Sequence, residues 1–213
     1  MYHELSIEKA QNILNWAEKM HPGAWIDHSR VVARAAKLIA AKCNDMDEER
    51  AYSLGLLHDI GRYEGKTSLH HILAGYDLMM KNGYNEAAQI CISHSFPIKN
   101  LNIYAGSQDD CTDEEKSLIT SLIYSSSYTD YDKLIQLCDS ISLSEGVCLM
   151  EKRLVDIVIR HGIRKYTHEL WISIFKLKNY FECKIGNTPF YSLFPEVIEI
   201  TFGCSINNSS IGY

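Results

Sequence analysis

The sequence predicts an all-α protein. Apolar residues recur at spacings of three and four through most of the chain. Only four prolines interrupt that period, at positions 22, 97, 189 and 195. The periodic stretches are bounded by residues that start and stop helices, such as Ser6, Asp47, His21-Pro22-Gly23 and Asn82-Gly83.

Taken in order, a first helix is predicted from the N-cap Ser6 to about Met20, where His21-Pro22-Gly23 breaks it. A second runs from about Trp25 to Cys43, with Trp25, His28, Val32, Ala35 and Ile39 on one stripe. A third opens at Asp47, with Glu48 and Glu49 in its first turn favouring the helix dipole. It is expected to continue through His58-Asp59 and to end at Gly61. Helices over 68–82 and 85–95 follow. The stretch from Phe96 to Cys111 reads as a long loop, of the kind that serves as a functional lid. Helices resume over 113–125, 130–143, 147–161 and 167–185. Beyond Pro189, Val197-Ile198-Glu199-Ile200 reads equally as a short strand or a helical turn, and Ser205–Ser210 reads as a disordered or surface-bound tail. No repeat or linker divides the chain.

The 213 residues suit one domain with an extension, and the 46% hydrophobic content is enough for a sizeable core. A net charge of −6 and the lack of any basic run argue against nucleic-acid backbones and anionic membranes as partners. Seven scattered cysteines without a CxxC pair indicate free thiols rather than a disulfide scaffold or zinc finger. No apolar leader or span is apparent, so a cytoplasmic protein is expected.

His28 lies on the buried stripe of its helix, where a leucine would be ordinary. Asp139 follows the apolar run Leu134-Ile135-Gln136-Leu137-Cys138 and is expected to face inward. A carboxylate buried without a partner is costly. A cation shared by His28, His58, Asp59 and Asp139 would offset that cost. Two histidines and two carboxylates suit a borderline divalent metal such as Mn, Fe, Co, Ni or Zn, and Mg is the harder alternative.

The order His28, His58-Asp59, Asp139 on apolar helical segments resembles the HD superfamily of metal-dependent phosphohydrolases. The string Leu54-Gly55-Leu56-Leu57-His58-Asp59-Ile60-Gly61-Arg62 is similar to its core signature, in the HDIG variant. The resemblance spans roughly residues 20–145. It implies an HD-domain helical bundle over 1–160, with 161–213 as a helical C-terminal extension packed on the same domain. His71-Ile72-Leu73-Ala74-Gly75 is similar to the HxxxG segment of members that hold a second metal, and His94 falls where those members place a further histidine. His70 is an alternative ligand, although Gly75 fits the pattern better with His71. The resemblance thus implies one or two divalent ions held by His28, His58, Asp59, His71, His94 and Asp139. The implied reaction is hydrolysis of a small phosphate ester, commonly a nucleotide, by metal-activated water, with Asp59 central to catalysis.

Arg62 stands where many HDIG members carry a phosphate-contacting lysine and is expected to bind substrate and to stabilise charge. Lys99 and Lys133 are weaker candidates for phosphate binding, Arg153 is a cation that can reach back toward the site, and Glu64 is a weak candidate for proton transfer. The chain departs from specialised branches. It lacks the Gly-Tyr-Pro motif of cyclic-dinucleotide phosphodiesterases, and Ser93-His94-Ser95-Phe96 replaces the His-Thr-Thr-Gly-like segment of bacterial dinucleoside tetraphosphate hydrolases. Two other readings share the ligand set: an HD-fold di-iron oxygenase and a non-catalytic ligand-sensing HD module.

Overall fold

The computed structural model describes residues 5–186 and 188–203. The described residues form α-helices joined by turns and short 3-10 segments, with no strand longer than an isolated bridge between Ser142 and Val147. The expected tail over Ser205–Ser210 lies outside the described residues.

Local capping sets most helix starts. In α1 (Ile7–Met20) the Ser6 hydroxyl accepts from the Lys9 N–H. After α2 (Ala24–Ala40), the Asp47 carboxylate accepts from the N–H groups of Glu49 and Arg50 and opens α3 (Glu48–Leu57). The helices α4 (His70–Lys81) and α5 (Asn85–Ser93) form an antiparallel pair joined through Asn82 and Gly83. Thr112 with Glu115 and Thr129 with Asp132 make reciprocal capping boxes at the starts of α6 (Asp113–Ser125) and α7 (Asp130–Asp139). Then come α8 (Met150–His161), α9 (Thr167–Lys184) and α10 (Val197–Phe202). The strand-or-helix ambiguity over 197–200 is thereby resolved as helix.

The structure corrects the expected end of the third helix. It stops at Leu57, and His58 and Asp59 form the bend into a 3-10 turn, Ile60–Glu64, that contains Gly61. Gly61 is therefore no helix terminator. A Cβ there would lie 1.9 Å from the His71 carbonyl oxygen and 2.4 Å from the Gly75 nitrogen. Its role is to let this turn pack directly on the backbone of α4. Gly75 answers from the other side, where a Cβ would come within 3.0 Å of Cys91 Sγ and 3.2 Å of the Gly61 nitrogen.

The α2–α3 pair packs with similar closeness, since a Cβ at Gly55 would meet Ala33 Cα at 2.6 Å. Val32, Ala36, Ile39, Leu54, Leu57, Ile135 and Cys138 fill the main core. Phe181, Phe190 and Phe194 join the same core from the C-terminal segment. A second buried cluster, including Ile72, Phe96, Ile103 and Ile119, lies beneath the long α5–α6 connection. That connection is ordered by a short 3-10 turn at Leu101–Ile103. No helix among the described residues is long and apolar enough to cross a membrane.

Candidate metal centre

Helices α2, α4 and α7 and the residues that follow α3 and α5 bring histidines and aspartates to one place. His28 comes from α2, His58 and Asp59 from the bend after α3, and His71 from the first turn of α4. His94 caps the end of α5, and Asp139 is the last residue of α7. His58, Asp59, His71 and His94 are buried, at 1%, 6%, 1% and 3% exposure.

The imidazoles are oriented from behind. His58 Nδ1–H donates to the Gly55 carbonyl at 2.8 Å, and His94 Nδ1–H donates to Cys91 at 2.9 Å. His71 Nδ1–H donates to the Ser68 carbonyl. Fixing Nδ1 as the donor leaves the Nε2 lone pair as the only free acceptor on each ring. Backbone partners of this kind orient ligating histidines. Two of these Nε2 atoms, from His71 and His94, lie 3.0 and 3.5 Å from Asp59 Oδ1, and His58 Nε2 lies 4.0 Å from Asp59 Oδ2. His58 Nε2 is fully buried and has no hydrogen-bond partner. A buried, unpartnered acceptor within 4.8 Å of a His28 nitrogen and the Asp59 carboxylate is what a cation would satisfy, so the residues present fit a divalent metal.

The electrostatics of His58, His71, Asp59 and Asp139 agree with ligand duty. Burial pushes His58 down to about 4, so it is neutral at physiological pH and its lone pair is available. Burial and the Arg62 charge also lower His71. Burial alone would raise the Asp59 carboxyl, but Arg62, His71 and His58 outweigh it and hold it well below the usual range. Asp139 is depressed in the same way by His28, whose Nε2 stands 2.9 Å from its Oδ1. For His94 the Asp59 carboxylate outweighs burial and raises it.

Two ligand groups share Asp59. His28, His58 and Asp59 form one, and Asp59, His71 and His94 form the other. Asp139 extends the first through its contact with His28. The arrangement places Asp59 between two candidate cation positions. It also decides between the adjacent histidines: His71 points into the centre, whereas His70 points away toward Glu64 and Glu115.

A cleft of about 880 Å³ opens over the centre, with His28, Asp59, His94 and Asp139 in its floor. Arg62 lines it, in the 3-10 turn rather than on a loop. Its Nε donates to Asp59 Oδ2 at 2.6 Å and its Nη1 to the Thr67 carbonyl at 3.1 Å. Arg153 and Arg160 of α8 form a further wall, both paired to Asp156. Arg153 Nη2 also stands 3.9 Å from Asp139 Oδ1. Sequence reasoning reached Arg153 but missed Arg160 and His161. The seven-residue spacing of the two arginines, one helical face, was the available signal.

Two expected phosphate contacts are not brought to the site. Lys99 donates to the Ser126 carbonyl and sits over the Tyr128 ring, and Lys133 pairs with Asp130 at 2.9 Å and sits over Tyr180. Neither lines the cleft. Glu64 likewise faces Tyr63 and His70.

A helical bundle that gathers histidines and aspartates from successive helices into one buried centre defines a metal-site architecture. The chain belongs to the HD-domain family, whose model matches residues 25–143. That family consists mostly of metal-dependent hydrolases and suggests phosphohydrolase-type activity in general. No curated protein and no solved structure matches the chain.

Proposed function

We propose that this protein is a metal-dependent phosphohydrolase acting on a small phosphate ester, a nucleotide or a related phosphomonoester or phosphodiester. The observation that carries this reading is the convergence of three buried, backbone-oriented histidine Nε2 atoms on Asp59. His28, His58, Asp59 and Asp139 would hold one divalent ion, and Asp59, His71 and His94 a second. When bound, such ions acidify a coordinated water at neutral pH and polarise a phosphoryl oxygen.

The chain's own groups supply the rest. Asp59 stays ionised under Arg62, so it keeps its charge for ligation across the working pH range. Arg62, anchored at Nε and Nη1, keeps Nη2 for a nonbridging phosphoryl oxygen. Arg153 and Arg160 place further positive charge on the opposite wall, suited to the anionic remainder of the substrate. Burial pushes the Tyr104 phenol, which also lines the cleft, up to about 12, so it remains a neutral donor. A cleft of about 880 Å³ suits a small molecule better than a polymer. Free thiols at all the described cysteines favour a reducing cytoplasm as its location.

The test is a panel of phosphoesters offered to metal-analysed protein with Mn, Co, Ni and Mg. We expect metal-dependent hydrolysis of a phosphoester, and expect Asp59→Ala to lose both bound metal and turnover while helical circular dichroism is kept. Wild-type metal content in that variant would refute the site. Oxygen-dependent turnover with bound iron, and no phosphoester hydrolysis, would replace the reading with the oxygenase.

A further inference from the structure

Outside the centre, His70, Cys111 and Glu115 bring a ring nitrogen, a thiol and a carboxylate oxygen within 4.8 Å of one another. His70 lies in the first turn of α4, Cys111 ends the long connection from α5, and Glu115 lies in the first turn of α6. We propose that these three side chains form a zinc site, separate from the histidine–aspartate centre, that clasps the α5–α6 connection to the start of α4.

His70 and Glu115 are each oriented by a partner on the far side. Glu64 Oε2 stands 3.1 Å from His70 Nε2 and accepts its proton there, which leaves His70 Nδ1 to face Glu115 Oε1 at 3.4 Å. A carboxylate behind a histidine is the usual way of fixing a ligating tautomer. The other oxygen of Glu115 is held by the Thr112 N–H at 2.7 Å in the capping box, so Oε1 is turned toward His70. Cys111 is placed by its neighbour Asp110, whose carboxylate accepts from the Leu69 N–H at 3.0 Å and ties the connection to α4.

The ligand types select the metal. Thiolate, imidazole and carboxylate together suit zinc, and three protein ligands leave the fourth tetrahedral position to water. Burial, with Asp110 and Glu115 nearby, pushes the Cys111 thiol up to about 11. Zinc therefore displaces the thiol proton to solvent as the S–Zn bond forms. The site has a consequence for the cleft. Tyr104, Ala105 and Gly106 of the clasped connection form part of the cleft wall, so zinc holds that wall in place without touching substrate.

Cobalt substitution separates this site from the first, because no thiol belongs to the histidine–aspartate centre. Full-length protein loaded with Co²⁺ should show a near-ultraviolet thiolate-to-cobalt charge-transfer band. Cys111→Ser should abolish that band and lower zinc content by about one equivalent per chain. Asp59→Ala should keep the band while losing the metal of the other centre. Glu115→Gln, which preserves shape, should weaken zinc binding without removing the band's thiolate source. Wild-type protein with no such band at saturating cobalt would overturn the proposal, as would a band that survives in Cys111→Ser. Wild-type protein that shows the band yet hydrolyses no phosphoester would instead count against the function proposed above and leave the zinc site standing.

Discussion

At Asp59 one oxygen accepts from Arg62 while the other faces His71 and His94. Arg62 thereby has two tasks, holding the shared carboxylate ionised and presenting positive charge to the cleft. Arg62→Ala should lower kcat/KM on the order of 10²–10³-fold, the usual cost of one charge-stabilising donor. Bound metal should be retained, since arginine is not a ligand. Lysine should recover only part of the loss. The guanidinium forks between Asp59 and the Thr67 carbonyl, and an ammonium cannot reproduce that planar fork. Steady-state kinetics beside metal analysis decide it, and full activity in Arg62→Ala would remove the phosphate role. The histidine pair divides at the same scale. His71→Ala should lower metal content in the main centre, whereas His70→Ala should leave that centre loaded.

Between elements, the decisive feature is the contact of the 3-10 turn with α4. Asp59 and His71 meet because Gly61 and Gly75 allow two backbones to approach without intervening side chains. Gly61→Ala would drive a methyl into the His71 carbonyl, which is backbone and cannot swing aside. We expect a stability loss of about 3 kcal/mol, with weaker metal binding as His71 is pushed from Asp59. Gly65→Ala is the control. Its φ of 131° strains an alanine, but nothing lies within 4 Å, so only about 1 kcal/mol should be lost. Urea midpoints for the two variants check the ordering, and equal losses would mean that close approach is not what Gly61 provides. The residues that the sequence pattern singles out do meet in one place in the fold, and they were legible because the apolar flanks and the His-Asp pair are local. The pattern misassigned Gly61 as a helix stop because the reason for that glycine is a segment ten residues away. Lys99 and Lys133 misled for the same reason, since their aromatic and carbonyl partners belong to other elements.

Across the whole molecule, the C-terminal segment is legible as helix but not as a working part. Folding brings Arg160 beside Arg153 in the wall of the cleft and packs Phe181, Phe190 and Phe194 into the main core. Helix α9 is fastened at Asp130, the first residue of α7. Asp130 accepts from Tyr180 and Lys184 of α9 at 2.8 and 2.7 Å and from Lys133 at 2.9 Å, and Lys184 also reaches Asp45. Burial opposes ionisation, but these donors prevail and bring the Asp130 carboxyl down to about 2. An aspartate depressed in the folded state stabilises the fold above its unfolded pKa, near 3.9, and loses that contribution as pH falls toward 2. Lys184 is raised by the same partners, so its share persists until the pH exceeds the ordinary lysine value. Asp130→Asn should therefore cost on the order of 1 kcal/mol at neutral pH, allowing for solvent screening of a partly exposed group. The gap between wild type and variant should be constant from about pH 5 to 9, shrink below pH 4 and close near pH 2. Urea unfolding across that range measures it, and a gap that persists at pH 2 would mean the Asp130 charge is not what fastens α9 to the bundle.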